Sequence, residues 1–226
     1  MLLSIIIPVL NEAGHLSAWL THLVALRADG AEIIVVDGGS QDDSALIACQ
    51  WGARVVRCEP GRARQMNAGA NLAQGDILLF LHADTWLPPA CKTATLAARL
   101  SASRRVWGRF DVAIQGPPAL LRLVAWLMNH RSRLTGIATG DQAIFVFRQT
   151  FVQIGGFPDQ PLMEDIALSK RLLTLSPPLC LAERVITSGR RWETRGVWRT
   201  ILLMWWLRWA YWRGTPVDQL AKSYLS

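Results

Sequence analysis

Asn11 with Glu12, Asp37, and Asp84 stand at the ends of three separate apolar runs of the chain. Carboxylates and an amide placed this way can hydrogen-bond a base and a ribose, and can hold a divalent cation through oxygen. A further pair, Glu164-Asp165, follows Pro161 and opens a helical pattern. The helix dipole alone favours acids there, and one of the two can equally take the proton of a hydroxyl. Arg190, Arg191 and Trp192 lie together on a stretch read as a loop. Two arginines beside an aromatic suit a phosphate clamp or an interfacial basic patch. The loop after the first run, Pro8 to Glu12, lacks the glycines of G-x-G-x-x-G, which disfavours a dinucleotide-binding dehydrogenase. There is no G-x-S-x-G, and His15, His22, His82 and His130 have no nucleophile at a recognisable spacing, so a serine hydrolase is set aside.

The order of elements gathers these side chains. Leu2 to Val9 is nearly all apolar, as in a strand covered on both faces, and a helical pattern follows from Glu12 to Arg27. A second run, Glu32 to Val36, ends in Asp37-Gly38-Gly39-Ser40. A helix over Asp42 to Trp51, a strand Arg54 to Arg57, a helix Arg62 to Ala73 and a strand Asp76 to Leu81 continue the alternation. This is an α/β class with a mostly parallel sheet between helices, whose ligands sit beyond the carboxyl ends of the strands. The order then loosens: a strand Val106 to Ile114, a helix after Pro117-Pro118, a Gly/Thr-rich loop Thr135 to Gly140, and a strand Ala143 to Phe147. A helix Glu164 to Thr174 and a strand Leu179 to Ile186 precede a tryptophan-rich tail.

A chain of 226 residues suits one domain with a sizeable core. Cys49, Cys58, Cys91 and Cys180 lie far apart, without a C-x-x-C pair, and read as reduced packing cysteines of a cytoplasmic protein. The apolar start lacks a basic leader and is interrupted by Pro8 and Asn11, so it reads as a strand rather than a signal peptide. A net charge of +7 fits nucleic acid, an anionic membrane or a phosphorylated substrate. Six of the eleven tryptophans follow residue 190, and no nucleic-acid motif accompanies the charge; a lipid surface is favoured over nucleic acid.

The segments Ser4 to Glu12, Ile34 to Asp42, Asn67 to Gly69 and Leu79 to Asp84, in that order, resemble the signatures of inverting family 2 glycosyltransferases of the glycosyltransferase-A fold. Gly140 to Gln142, Gly155 to Pro158 and Met163 to Asp165 resemble that family's acceptor half. More narrowly, the chain is similar to a bacterial subgroup associated with radical-SAM and selenodomain proteins and with arsenosugar biosynthesis. The resemblance implies a UDP- or GDP-sugar donor bordered by Pro8, Asn11, Glu12 and Asp37, with Arg62 or Arg64 near the base or phosphates and Asn67 on the same helix. It implies a divalent cation, Mn2+ or Mg2+, at Asp84, where the family has Asp-x-Asp. Here His82 replaces the first carboxylate; manganese accepts imidazole, whereas magnesium prefers oxygen. It also implies Asp165 as the base, with Glu164 as neighbour or alternative, and Arg190 and Arg191 near the donor diphosphate. Residues 1–190 are then the catalytic domain and 191–226 an Arg/Trp-rich helical tail.

In the tail, Trp198, Leu202, Trp205, Trp209 and Trp212 form one stripe of a helix. About 17 residues reach only about 25 Å, too short for a bilayer core of roughly 30 Å, so the tail is expected to lie in an interface or to dock on protein. The expected activity is inverting, metal-assisted transfer of a sugar to an acceptor hydroxyl at the inner face of the cell membrane. A lipid-linked acceptor and a homodimer are both compatible with the sequence. A non-catalytic nucleotide-sugar-binding or membrane scaffold is the alternative; a nucleotidyltransferase would want a Gly-rich basic loop after the first strand, which Pro8 to Glu12 does not supply.

Overall fold

The computed structural model describes residues 1–89, 91–117 and 120–225, without the side chains of Arg191, Arg195 and Leu225. The first strand, β1 (Leu3–Val9), alternates its side chains between two cores. Ile5, Ile7 and Val9 join the core under α1 (Ala13–Leu20), α3 (Ser44–Trp51) and α5 (Thr93–Ser103), whereas Ile6 joins the core under α4 (Arg62–Leu72) and α8 (Glu164–Leu173). Burial on both faces explains the continuous apolar run.

Around β1 lie β2 (Glu32–Asp37), β3 (Arg54–Arg57), β4 (Ile77–Phe80), β5 (Thr85–Trp86), β6 (Trp107–Gln115), β7 (Phe145–Phe147) and β8 (Leu179–Ser188), in the order β3-β2-β1-β4-β7-β6-β8-β5. The first four pair in parallel, as do β6 and β8; β7 runs antiparallel to both β4 and β6, and β5 is antiparallel to β8. The sheet is therefore mixed and mostly parallel. At β6 and β8 the register shifts between Phe110 and Asp111, a bulge of the kind that redirects a strand near a site.

Close packing of α4 on the sheet rests on Gly69, where an added Cβ would lie 2.5 Å from Ile6 Cγ2 and 2.9 Å from Val36 Cγ2. Glycine is therefore required for contact, not for backbone freedom. The pattern expected as one helix from Glu12 is broken by a 3-10 turn at Thr21–Leu23 before α2 (Val24–Ala28). The remaining elements are α6 (Leu120–Thr135), α7 (Arg148–Gln153), α9 (Arg190–Arg195), α10 (Val197–Trp212) and α11 (Val217–Leu225). Arg190 to Trp192, expected as a loop, open α9, and the tail holds a second helix, α11, that the sequence pattern did not reveal.

Candidate active site

The parallel strands end at a cleft of about 330 Å³. Glu12, Arg62, His82, Asp84, Glu164, Asp165 and Arg190 all line it, so residues far apart in sequence meet there. Arg190 approaches Glu12 to 3.6 Å. The Ser188 N–H donates to the Asp84 carbonyl at 3.0 Å, tying the end of β8 to the loop that carries Asp84.

Other expected residues are placed differently. Asp37 is fully buried at the end of β2; its carboxylate accepts the Ser40 N–H at 3.1 Å and lies 3.5 Å from Arg57 Nε. Asn11, at φ 55°, accepts the Gln41 N–H through Oδ1 at 2.8 Å, and its own N–H donates to Ser40 Oγ at 2.9 Å. Asn11 therefore fastens the β1–α1 loop to the β2–α3 loop, Asp37 orders the turn after β2, and neither they nor Pro8, which lies within β1, line the cleft. Arg64 turns away to Glu59 and Asp159, each at 2.9 Å. The Asn67 amide donates to the Phe157 carbonyl at 2.8 Å and accepts its N–H at 3.0 Å, a structural clamp. The side chain of Arg191 lies outside the described residues.

The acid pair opens α8. Its N-cap, Met163, holds φ at 64°, a left-handed conformation that side chains rarely adopt. Asp165 is anchored by the Gly140 N–H at 2.9 Å and by the Ile166 N–H at 2.7 Å. Glu164 is buried, and its carboxyl is pushed up to about 7, first by burial and then by the Asp165 charge, with Arg62 opposing. Gly140 also lets the chain pass the His82 ring, since a Cβ there would meet the ring at 2.3 Å. His82 Nδ1 lies 3.5 Å from Asp141 Oδ1. Among the described residues no group of three His, Cys, Asp or Glu side chains could cage a metal. A cation held at Asp84 would therefore have to take most of its ligands from substrate oxygens and water.

Apart from Trp192, several lining residues were not expected at the site from the sequence. Trp192, Met204, Leu207, Arg208 and Tyr224 come from the tail, so α9, α10 and α11 complete the cleft wall. Gln65 lies behind it, its amide donating to the carbonyls of Val9 and Val36 at 2.9 and 2.8 Å and pinning the ends of β1 and β2. Only the polar type of Gln65 in an otherwise apolar helical position hinted at this.

A mixed sheet of this order with acids at its carboxyl edge defines a glycosyltransferase-A fold. The chain belongs to the family described as "Glycosyl transferase family 2", which matches residues 4–153. A PGL/p-HBAD biosynthesis glycosyltransferase of Mycobacterium bovis is 38% identical over 102 residues, covering 42% of this chain and 40% of the relative. An uncharacterized Mycobacterium tuberculosis protein is 34% identical over 186 residues, covering 69% of this chain and 56% of that one. This chain thus spans roughly half or less of the curated relatives' length. Among solved structures, Staphylococcus aureus TarS 1-349 in complex with UDP superposes with a TM-score of 0.65 at 19% identity, covering 83% of this chain and 60% of that one. The mannosyltransferase PcManGT of Pyrobaculum calidifontis, in complex with GDP-Man and Mn2+, gives 0.59 at 21%, covering 81% and 56%.

Proposed function

We propose that the chain transfers a sugar from a nucleoside-diphosphate sugar to an acceptor hydroxyl with inversion at the anomeric carbon. The observation that carries this reading is the convergence of Asp84, Arg62 and Arg190 with the Glu164-Asp165 pair on one cleft at the carboxyl edge of the sheet. Family membership and the nucleotide-sugar complexes of the structural neighbours support it. The narrower subgroup assignment rests on the sequence motifs alone.

In this reading Asp165 takes the hydroxyl proton while the acceptor oxygen bonds to the anomeric carbon. The bond from that carbon to the diphosphate oxygen breaks, and its electron pair leaves with the nucleotide. The Gly140 and Ile166 N–H groups fix the Asp165 carboxylate in place, and Glu164 beside it keeps the pair from carrying two full charges at neutral pH. Arg62 and Arg190 face the negative charge of the leaving group. A divalent cation held at Asp84 would neutralise the diphosphate further. Asp37 shapes the base subsite from behind by ordering the Ser40 turn.

Calorimetric titration with UDP, GDP and their sugars, with and without Mn2+, tests the donor assignment. Asp84→Ala is expected to remove the metal-dependent part of nucleotide binding, a loss of about tenfold or more. Absence of binding to either nucleotide would move the reading to a non-catalytic scaffold with the same fold.

A further inference from the structure

A second cavity, of about 260 Å³, opens between α6 and α10. It adjoins the first: Asp141, Trp192, Met204 and Arg208 line both. Val124, Leu127, Ile201 and Trp205 make its remaining wall almost wholly apolar. Leu127 and Trp205 belong at once to this wall and to an exposed apolar surface, continued by Leu123 and Trp126 on α6 and by Leu202 and Trp209 on α10. Space of this shape accepts hydrocarbon, and tryptophan at its mouth suits the boundary between chains and headgroups.

Two guanidiniums stand at the inner end. Arg208 lines both cavities, and Arg131 on α6 lies close enough to feel its charge. The Nε and Nη2 atoms of Arg131 are buried and have no hydrogen-bond partner among the described residues. Burial lowers both groups, Arg131 to about 10. Buried donors without acceptors are costly, and a guanidinium fork matches the two oxygens of a carboxylate or phosphate. Both guanidiniums feel the charge of Asp165, and Arg208 also that of Asp141, which lies 3.5 Å from His82 Nδ1. The site is thus apolar along its length and charged where it meets the reaction cleft, with the unpartnered donors of Arg131 beside Arg208 and Asp141.

We propose that the acceptor is an anionic amphiphile drawn from a membrane surface: its hydrocarbon chain lies between α6 and α10, its acidic group meets Arg131 and Arg208, and its hydroxyl reaches Asp165. This rests on the reading of the adjoining cleft as the transfer site. The exposed Arg122, Arg199 and Arg213 on or beside the same helices complement an anionic bilayer from which such a molecule would enter.

Dodecyl phosphate, titrated below its micelle concentration into the full chain, is expected to bind at least about tenfold more tightly than ethyl phosphate or dodecyl maltoside. Arg131→Gln and, separately, Leu127→Glu are each expected to weaken it by about tenfold. Leu127 is 44% exposed, so its replacement leaves the core intact. UDP and GDP binding, read on the same samples, is expected to be unchanged by both substitutions, since neither residue lines the nucleotide cleft. Equal binding of the uncharged detergent, or dodecyl phosphate affinity unaffected by both substitutions, overturns the proposal. Intact dodecyl phosphate binding by a wild-type protein that binds neither nucleotide would overturn the donor reading and leave the amphiphile site standing.

Discussion

Glu164 carries the sharpest chemical signature in the chain. Its carboxyl titrates at about 7 in the fold, against an ordinary value of 4.5, because burial and the Asp165 charge disfavour ionisation. The folded state therefore holds a proton that the unfolded chain has released between those values, and stability falls as pH rises from 4.5 through about 7. Glu164→Gln is expected to flatten that fall and to gain on the order of 3 kcal/mol over wild type at pH 8, as urea denaturation across pH would show. A variant that loses stability in parallel with wild type would refute the burial account. Asp165→Asn keeps the shape and removes the proposed base; turnover is expected to drop by at least about a hundredfold with nucleotide affinity unchanged, measured by single-turnover transfer. At this scale the placement of Glu12, Asp84 and the acid pair at one cleft was legible, because strand ends and a helix start announce themselves in sequence. Arg64 and Asn67 lie on the same helix as Arg62, and sequence could not say that Asp159 and the Phe157 backbone would claim them.

At the scale of elements, the sheet and its crossovers follow from local pattern. The run Leu3–Val9 and the alternation of strands and helices through β4 were readable because apolar runs alternate with turn signals such as Gly, Asp and Asn. The antiparallel entry of β7 was not, since strand direction is set by which edge is free and not by the residues Phe145–Phe147. A six-residue helix such as α9 carries too little periodicity to tell from a loop. Contacts between elements give a direct prediction: Gly69→Ala forces α4 away from Ile6 and Val36 and is expected to cost about 1–3 kcal/mol in denaturant unfolding. Gln65→Leu leaves the carbonyls of Val9 and Val36 without its donors and is expected to cost a similar 1–3 kcal/mol or so. Retained stability in either variant would show that the helix can slide without penalty.

At the scale of the whole molecule, the tail stands out for its exposed row of tryptophans. Among the described residues no helix is long and apolar enough to cross a membrane. Helix α10 instead buries Leu207 and Ala210 against Met163 and Ile166 and leaves Trp198, Leu202, Trp205, Trp209 and Trp212 exposed by 57 to 73%. One side of this helix thus docks on the domain and the other faces outward. Flotation with phosphatidylglycerol vesicles is expected to recover the wild type and to lose a Trp205→Ser/Trp209→Ser/Trp212→Ser variant, with neutral phosphatidylcholine recovering less of either. Equal recovery of variant and wild type would remove the stripe from membrane contact.

The part played by Tyr224 in the cleft wall has a consequence in time. Strands β1 to β4 can pair as they leave the ribosome, since domains build from the N-terminal side during synthesis. The cleft stays open on one side until α10 and α11 have emerged and closed over Met163 and Ile166. Strands β1 to β4 can therefore form well before the cleft wall is complete, because the segments that complete it, α10 and α11, are translated after every strand of the sheet.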